Sequence, residues 1–156
     1  MATEIPDFDL LAHAAHPETF SAGTIEHLDR LWRELFALNS WHFLAEPKTI
    51  FNALDGVKPY PWDRRQNGEK WLLAFTDLAR AERWLDDAEI KQDDRSDYFI
   101  TWTPAAARSY FRTLTGSPVV GVRFNEGSAF GWAAPVEDIE RIYNHLAAQT
   151  DSRTVT

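Results

Sequence analysis

Five histidines, several paired carboxylates and one aromatic-arginine stretch are the residues of this chain whose types and spacing suit chemistry. His13 and His16 form an H-x-x-H pair, but no carboxylate or third histidine lies at a spacing that would complete a tetrahedral zinc site. A solvated pair is the simpler reading. His27 and His145 sit at polar positions of helical patterns and read as surface residues. His42, between Trp41 and Phe43, reads as pointing away from the core on an edge strand, where it would titrate near neutral pH. No serine occupies a G-x-S-x-G elbow, and there is neither a Walker loop nor a G-x-G-x-x-G fingerprint. Asp86-Asp87 and Asp93-Asp94 belong to a charged connection running from Asp86 to Asp97. Acid–base work wants a desolvated carboxyl with a shifted pKa, so these pairs serve solubility more simply. The same run has no Gly at the sixth position of any Asp-started frame, which excludes a calcium loop. The expectation is no catalytic residue, no metal site and no cofactor.

The stretch Val57-Lys58-Pro59-Tyr60-Pro61-Trp62-Asp63-Arg64-Arg65 is of another kind. Tyr, Trp and Arg are the side chains enriched where binding energy concentrates, and the two prolines lower the entropy lost in presenting them. Tyr60, Trp62, Arg64 and Arg65 are therefore the candidate binding residues. A structural cap, with Tyr60 and Trp62 folded back on a sheet, accounts for the aromatics equally well.

The elements that must position these residues follow from periodicity. After Thr24, Ile25, Leu28, Leu31, Trp32, Leu35, Phe36 and Leu38 recur at helical spacing. Trp41 to Leu44 and Thr49 to Phe51 read as short strands. From Asp55 to Lys70 periodicity disappears around Gly56, Pro59, Pro61 and Gly68, giving a long loop or an open hairpin. Trp71 to Phe75 is apolar throughout, as expected of a strand covered on both faces. A helix follows Thr76-Asp77, with Leu78, Ala81, Trp84 and Leu85 on one side. Tyr98 to Trp102 is the next strand, and Thr103-Pro104 has the order of an N-cap followed by a first-turn proline. Ala106, Ala107, Tyr110, Phe111 and Leu114 form the stripe of that helix, which Gly116 ends. Val119–Phe124 and Phe130–Ala133 flank a turn in which Gly127 takes positive φ. Pro135 opens a last helix with Val136, Ile139, Ile142, Tyr143 and Leu146 on its apolar face. The pattern predicts an α+β domain: a mixed sheet of four to six strands with three to four helices packed on it. Residues 1–23 read as an N-terminal arm in which Phe8, Leu10 and Leu11 dock as a short helical turn; 24–147 form the domain and 148–156 a flexible tail.

Composition narrows the function classes. The chain has 156 residues, enough for one core without staples, and no cysteine, which removes disulfides, thiolate metal sites and cysteine nucleophiles. Its net charge of -8 repels phosphate backbones, so nucleic acid is not an expected partner, whereas a basic protein would be drawn in. No apolar run reaches bilayer-spanning length, and the acidic Met1–Asp7 start lacks the features of a secretory signal. A cytoplasmic location is expected.

Leu31-Trp32, Ala74-Phe75-Thr76-Asp77, and Gly121-Val122-Arg123-Phe124-Asn125 followed by Phe130-Gly131-Trp132 resemble the N-terminal domain of the SseB protein family. The resemblance spans about residues 24–147 and implies a small mixed α/β domain of bacterial origin. It implies no reaction, cofactor or catalytic residue. The expected function is a non-catalytic, cytoplasmic protein-interaction domain. The alternative is an acidic immunity or antitoxin-like protein that neutralises a basic toxin, with a small hydrolase-type enzyme using His42 or a carboxylate in a pocket behind it. A protein partner is expected, and a homo-oligomer is left open.

Overall fold

Strand Lys70–Phe75 (β3) holds the structure together because its side chains alternate between two apolar layers. The computed structural model describes residues 7–15, 24–45, 59, 61–62, 68–87, 99–128 and 131–154. Within them the elements run in the order Phe8–Ala15 (α1), Thr24–Phe36 (α2), Trp41–Leu44 (β1), Pro61–Trp62 (β2), β3, Leu78–Asp87 (α3), Phe99–Trp102 (β4), Pro104–Arg112 (α4), Val119–Phe124 (β5), Trp132–Pro135 (β6) and Val136–Thr154 (α5). The class is α+β, with a mixed six-stranded sheet ordered β4–β1–β3–β5–β6 and β2 pairing with β3. Among the described residues only β3 and β5 are parallel neighbours, and every other pairing is antiparallel.

Period-two alternation sorts the strands' side chains. Trp41, Phe43, Leu72, Ala74, Val122 and Phe124 enter one cluster with buried residues of α1, α2, α4 and α5. Leu44, Leu73 and Phe75 enter a second cluster with Ala81, Trp84 and Leu85 of α3. Helices therefore cover both faces of the sheet, which is why β3 is apolar along its length. Gly121 of β5 has a packing reason: a Cβ there would come 2.6 Å from the Trp71 ring and would also meet the Ala134 carbonyl.

Helix starts follow side-chain chemistry. Thr103 Oγ1 accepts the Ala106 N–H at 3.1 Å with Pro104 in the first turn, as its sequence order predicts. Asp77 Oδ1 accepts the Arg80 N–H at 2.8 Å, so Asp77 caps α3. Asp7 Oδ1 accepts the N–H groups of Asp9 and Leu10 at 3.1 and 3.2 Å at the start of α1.

Several details depart from the pattern reading. Within the arm, Phe8–Ala15 forms a helix of two turns: Phe8 is 1% exposed and stacks on Trp132 at 5.8 Å, whereas Leu10 is 65% exposed. Burying a phenylalanine contributes about 1.5–3 kcal/mol and a partly exposed ion pair under about 1 kcal/mol, so Phe8 holds α1 more than the Asp9–Arg80 pair does. β1 lies between β4 and β3, which puts His42 on an interior strand. Helix α5 runs on past Gln149 to Thr154. Asn125 joins Gly127 in the positive-φ region, with φ of 55°. The strand expected at Thr49–Phe51 lies outside the described residues.

Candidate functional site

Of the four candidate binding residues, Trp62 is described, and Tyr60, Arg64 and Arg65 lie outside the described residues. The described residues beside Trp62 are tied to the rest of the fold at two points. Pro59 bridges Ala45, and Pro61–Trp62 pair antiparallel with Leu72 and Trp71. β1 and β2 thus share one edge of β3 end to end, because β1 pairs with Ala74 and Phe75. Trp62 is half-buried and meets Trp84 of α3 edge-on at 5.3 Å. Trp84 in turn packs on Phe75 at 6.2 Å. The indole is therefore partly a cap on the α3 face of the sheet.

That contact brings two sequence features into one region. Beyond Trp84, α3 ends in exposed Asp86 and Asp87, and its last turn carries no basic residue. Acidic groups at a helix C-terminus oppose the macrodipole at roughly 0.3–1 kcal/mol each.

The carboxyl ends of β3, β4 and β5 lie at one edge of the sheet, since β1 is antiparallel to both β3 and β4 while β5 is parallel to β3. In α/β enzymes such ends hold ligands. Here the Thr76 N–H donates to Asn125 Oδ1 at 3.0 Å and Asn125 Nδ2 donates to Thr76 Oγ1 at 3.1 Å, both residues being buried. Beside them Arg80 donates to both oxygens of Asp9 at 3.1 Å, to Ser128 Oγ at 2.9 Å and to Asp77 at 3.2 Å. The strand ends are occupied by mutual hydrogen bonds that tie α1, α3 and the β5–β6 turn together.

His42 of β1 lies opposite Phe75 and Thr101, near this edge. It is half-buried, with Nδ1 2.8 Å from Thr101 Oγ1. Burial lowers its pKa below that of a free histidine, and the Asp77 carboxylate opposes this more weakly. The fold therefore favours neutral imidazole. The unfolded chain takes up the proton first as pH falls, so stability is full above about 6.5 and declines below it until the folded histidine also protonates. Thermal unfolding from pH 7.5 to 5 should show this decline, and His42→Gln should flatten the His42 part of the profile.

Histidine 145 belongs to a separate surface network, with Nε2 3.2 Å from Asp29 Oδ2. Across the sheet from α3, a cavity of about 190 Å³ opens between α4 and the first turn of α5. It is lined by Arg108, Phe111, Arg112, Thr115, Val136, Glu137, Ile139 and Glu140. Sequence reasoning missed it. Arg108 and Glu140 are 32 residues apart, and no local motif joins them.

No protein-family model matches the chain, and no curated protein matches it. Among the described residues, no helix is long and apolar enough to cross a membrane.

Proposed function

We propose that the chain is a non-catalytic, cytoplasmic protein-binding domain of SseB-like type, engaging its partner through the hairpin that carries Tyr60, Trp62, Arg64 and Arg65. The observation that carries this reading is the double anchoring of the segment's described residues, at Ala45–Pro59 and at Trp62–Trp71. Anchoring at Pro59, Pro61 and Trp62 lowers the entropy lost when neighbouring binding-type side chains dock. Trp62 serves two ends on this reading, as cap over Trp84 and as a member of the binding set with Arg64 and Arg65.

The test separates the two ends. Trp62→Ala should cost about 2 kcal/mol of stability, because it removes a half-buried indole and its edge-on contact. Arg64→Ala with Arg65→Ala should leave thermal unfolding unchanged while a partner captured by the wild-type chain is no longer retained. Retention of every captured protein by the double variant would remove the hairpin from the interface.

The acidic end of α3 favours a second reading, that the partner is basic and that the protein acts as an immunity or antitoxin-like inhibitor. Carboxylates placed against the helix dipole, next to the Trp62 region, support it. On this reading association slows steeply with added salt and with Asp86→Asn plus Asp87→Asn. A salt-independent association rate would count against it.

A further inference from the structure

The cavity between α4 and α5 has a charge arrangement that the fold alone does not require. Arg108 already satisfies Glu140 with two parallel bonds, Nε to Oε2 at 3.0 Å and Nη2 to Oε1 at 2.9 Å. Its guanidinium also lies 3.3 Å over the Tyr143 ring. Glu140 is held ionised, its pKa lowered first by the hydrogen bond from Arg108. Arg112 then adds a third donor to the same carboxylate, Nη2 to Oε1 at 2.8 Å. This bond is redundant for Glu140, and Arg112 stays 59% exposed in its side chain. Among the described residues Arg112 has no other acceptor, although a guanidinium carries five N–H donors.

We propose that this cavity binds a small carboxylate bearing a short aliphatic group, the chemistry shared by a free branched-chain acid and the C-terminal residue of a peptide. Arg108 and Arg112 both turn on Glu140, and Arg112 presents its spare donors in the planar fork that suits a carboxylate. Phe111, Val136 and Ile139 supply an apolar wall beside it. Size selects the ligand: about 190 Å³ lies below the range of roughly 300–1,000 Å³ that takes drug-sized ligands and suits one branched side chain. The start of α5 at the cavity's edge adds positive potential. Glu137, exposed in the lining, brings the cavity's formal charge to zero, so the attraction rests on the reach of the exposed Arg112 fork. The site lies on the face of the sheet opposite Trp62, so it stands or falls separately from the hairpin.

The experiment is a titration of the ¹⁵N-labelled chain with N-acetyl-leucine, N-acetyl-leucinamide and acetyl-Gly-Gly-Leu, followed by amide NMR. N-acetyl-leucine should give saturable shifts at Thr115, Val136 and Glu137, and the uncharged amide should not. Arg112→Gln, an exposed position that should keep the wild-type melting temperature, should weaken binding about tenfold, the loss of one charge-assisted hydrogen bond. Glu137→Gln should tighten it a few-fold by removing like-charge repulsion. Tighter binding of acetyl-Gly-Gly-Leu than of N-acetyl-leucine assigns the site to a peptide end, and weaker binding assigns it to a free acid. Equal binding of acid and amide, unchanged affinity in Arg112→Gln, or no saturable shift with the acid overturns the proposal.

Discussion

Replacing Asn125 by Ala should lower the unfolding free energy by about 3 kcal/mol, a fall of roughly 10 °C in melting temperature for a chain of this size. Asn125 is 0% exposed, and its side chain binds both the Thr76 N–H and the Thr76 hydroxyl. Removing it leaves a buried backbone donor without an acceptor, which costs about 1–3 kcal/mol. The second contribution is conformational, because φ at this position is 55° and alanine pays about 1–2 kcal/mol to stay in the left-handed region. Asn125→Gly separates them: it accepts the backbone but loses the bonds, so it should be the milder variant. Equal losses in both would show that the backbone conformation contributes nothing. Asn125 joins the ends of the parallel pair β3 and β5, where many α/β proteins place a ligand, and here its polar atoms serve the fold.

Trp41→Ala should be the most damaging single substitution, at about 3–5 kcal/mol out of a total that for most domains is about 5–15 kcal/mol. The indole is fully buried, with Nε1 donating to the Leu35 carbonyl at 2.9 Å. Its ring lies 5.6 Å from Phe36, 6.5 Å from Phe111 and 5.3 Å from Phe124, so one side chain joins α2, α4 and β5. Trp41→Phe should be far milder, at about 1 kcal/mol for the hydrogen bond, because the Leu35 carbonyl still accepts the Leu38 N–H. Urea denaturation of the two variants measures the difference. Comparable losses would mean that the hydrogen bond, and not the ring packing, is what Trp41 supplies.

The elements legible in the chain are those whose signals are local. Trp41–Leu44 and Val119–Phe124 form as strands over the ranges their apolar runs predict, and Thr103-Pro104 opens α4 through a bond to a residue three places on. What the pattern did not yield depends on partners far along the chain. Arg80 reaches Asp9 and Ser128 across 71 and 48 residues, so the network at the strand ends has no sequence signature. His42 looked like an edge residue because a short strand carries no record of how many neighbours it has; pairing with both β3 and β4 makes it interior and explains its lowered pKa. Asn125 was legible as part of a turn, but its bonds to Thr76, 49 residues away, left no local signal. For the hairpin, the sequence offered both a binding surface and a cap, and Trp62 on Trp84 has the geometry of a cap while Arg64 and Arg65 carry the binding half of the account.

The central claim is that those two arginines bind a protein partner without supporting the fold. Its most direct test is isothermal titration of the partner isolated on the wild-type chain against wild type and the Arg64→Ala, Arg65→Ala variant, with melting temperatures measured alongside. The account predicts affinity reduced about tenfold or more at an unchanged melting temperature. Equal affinity for the two proteins, or a loss of affinity that tracks a loss of stability, would contradict it.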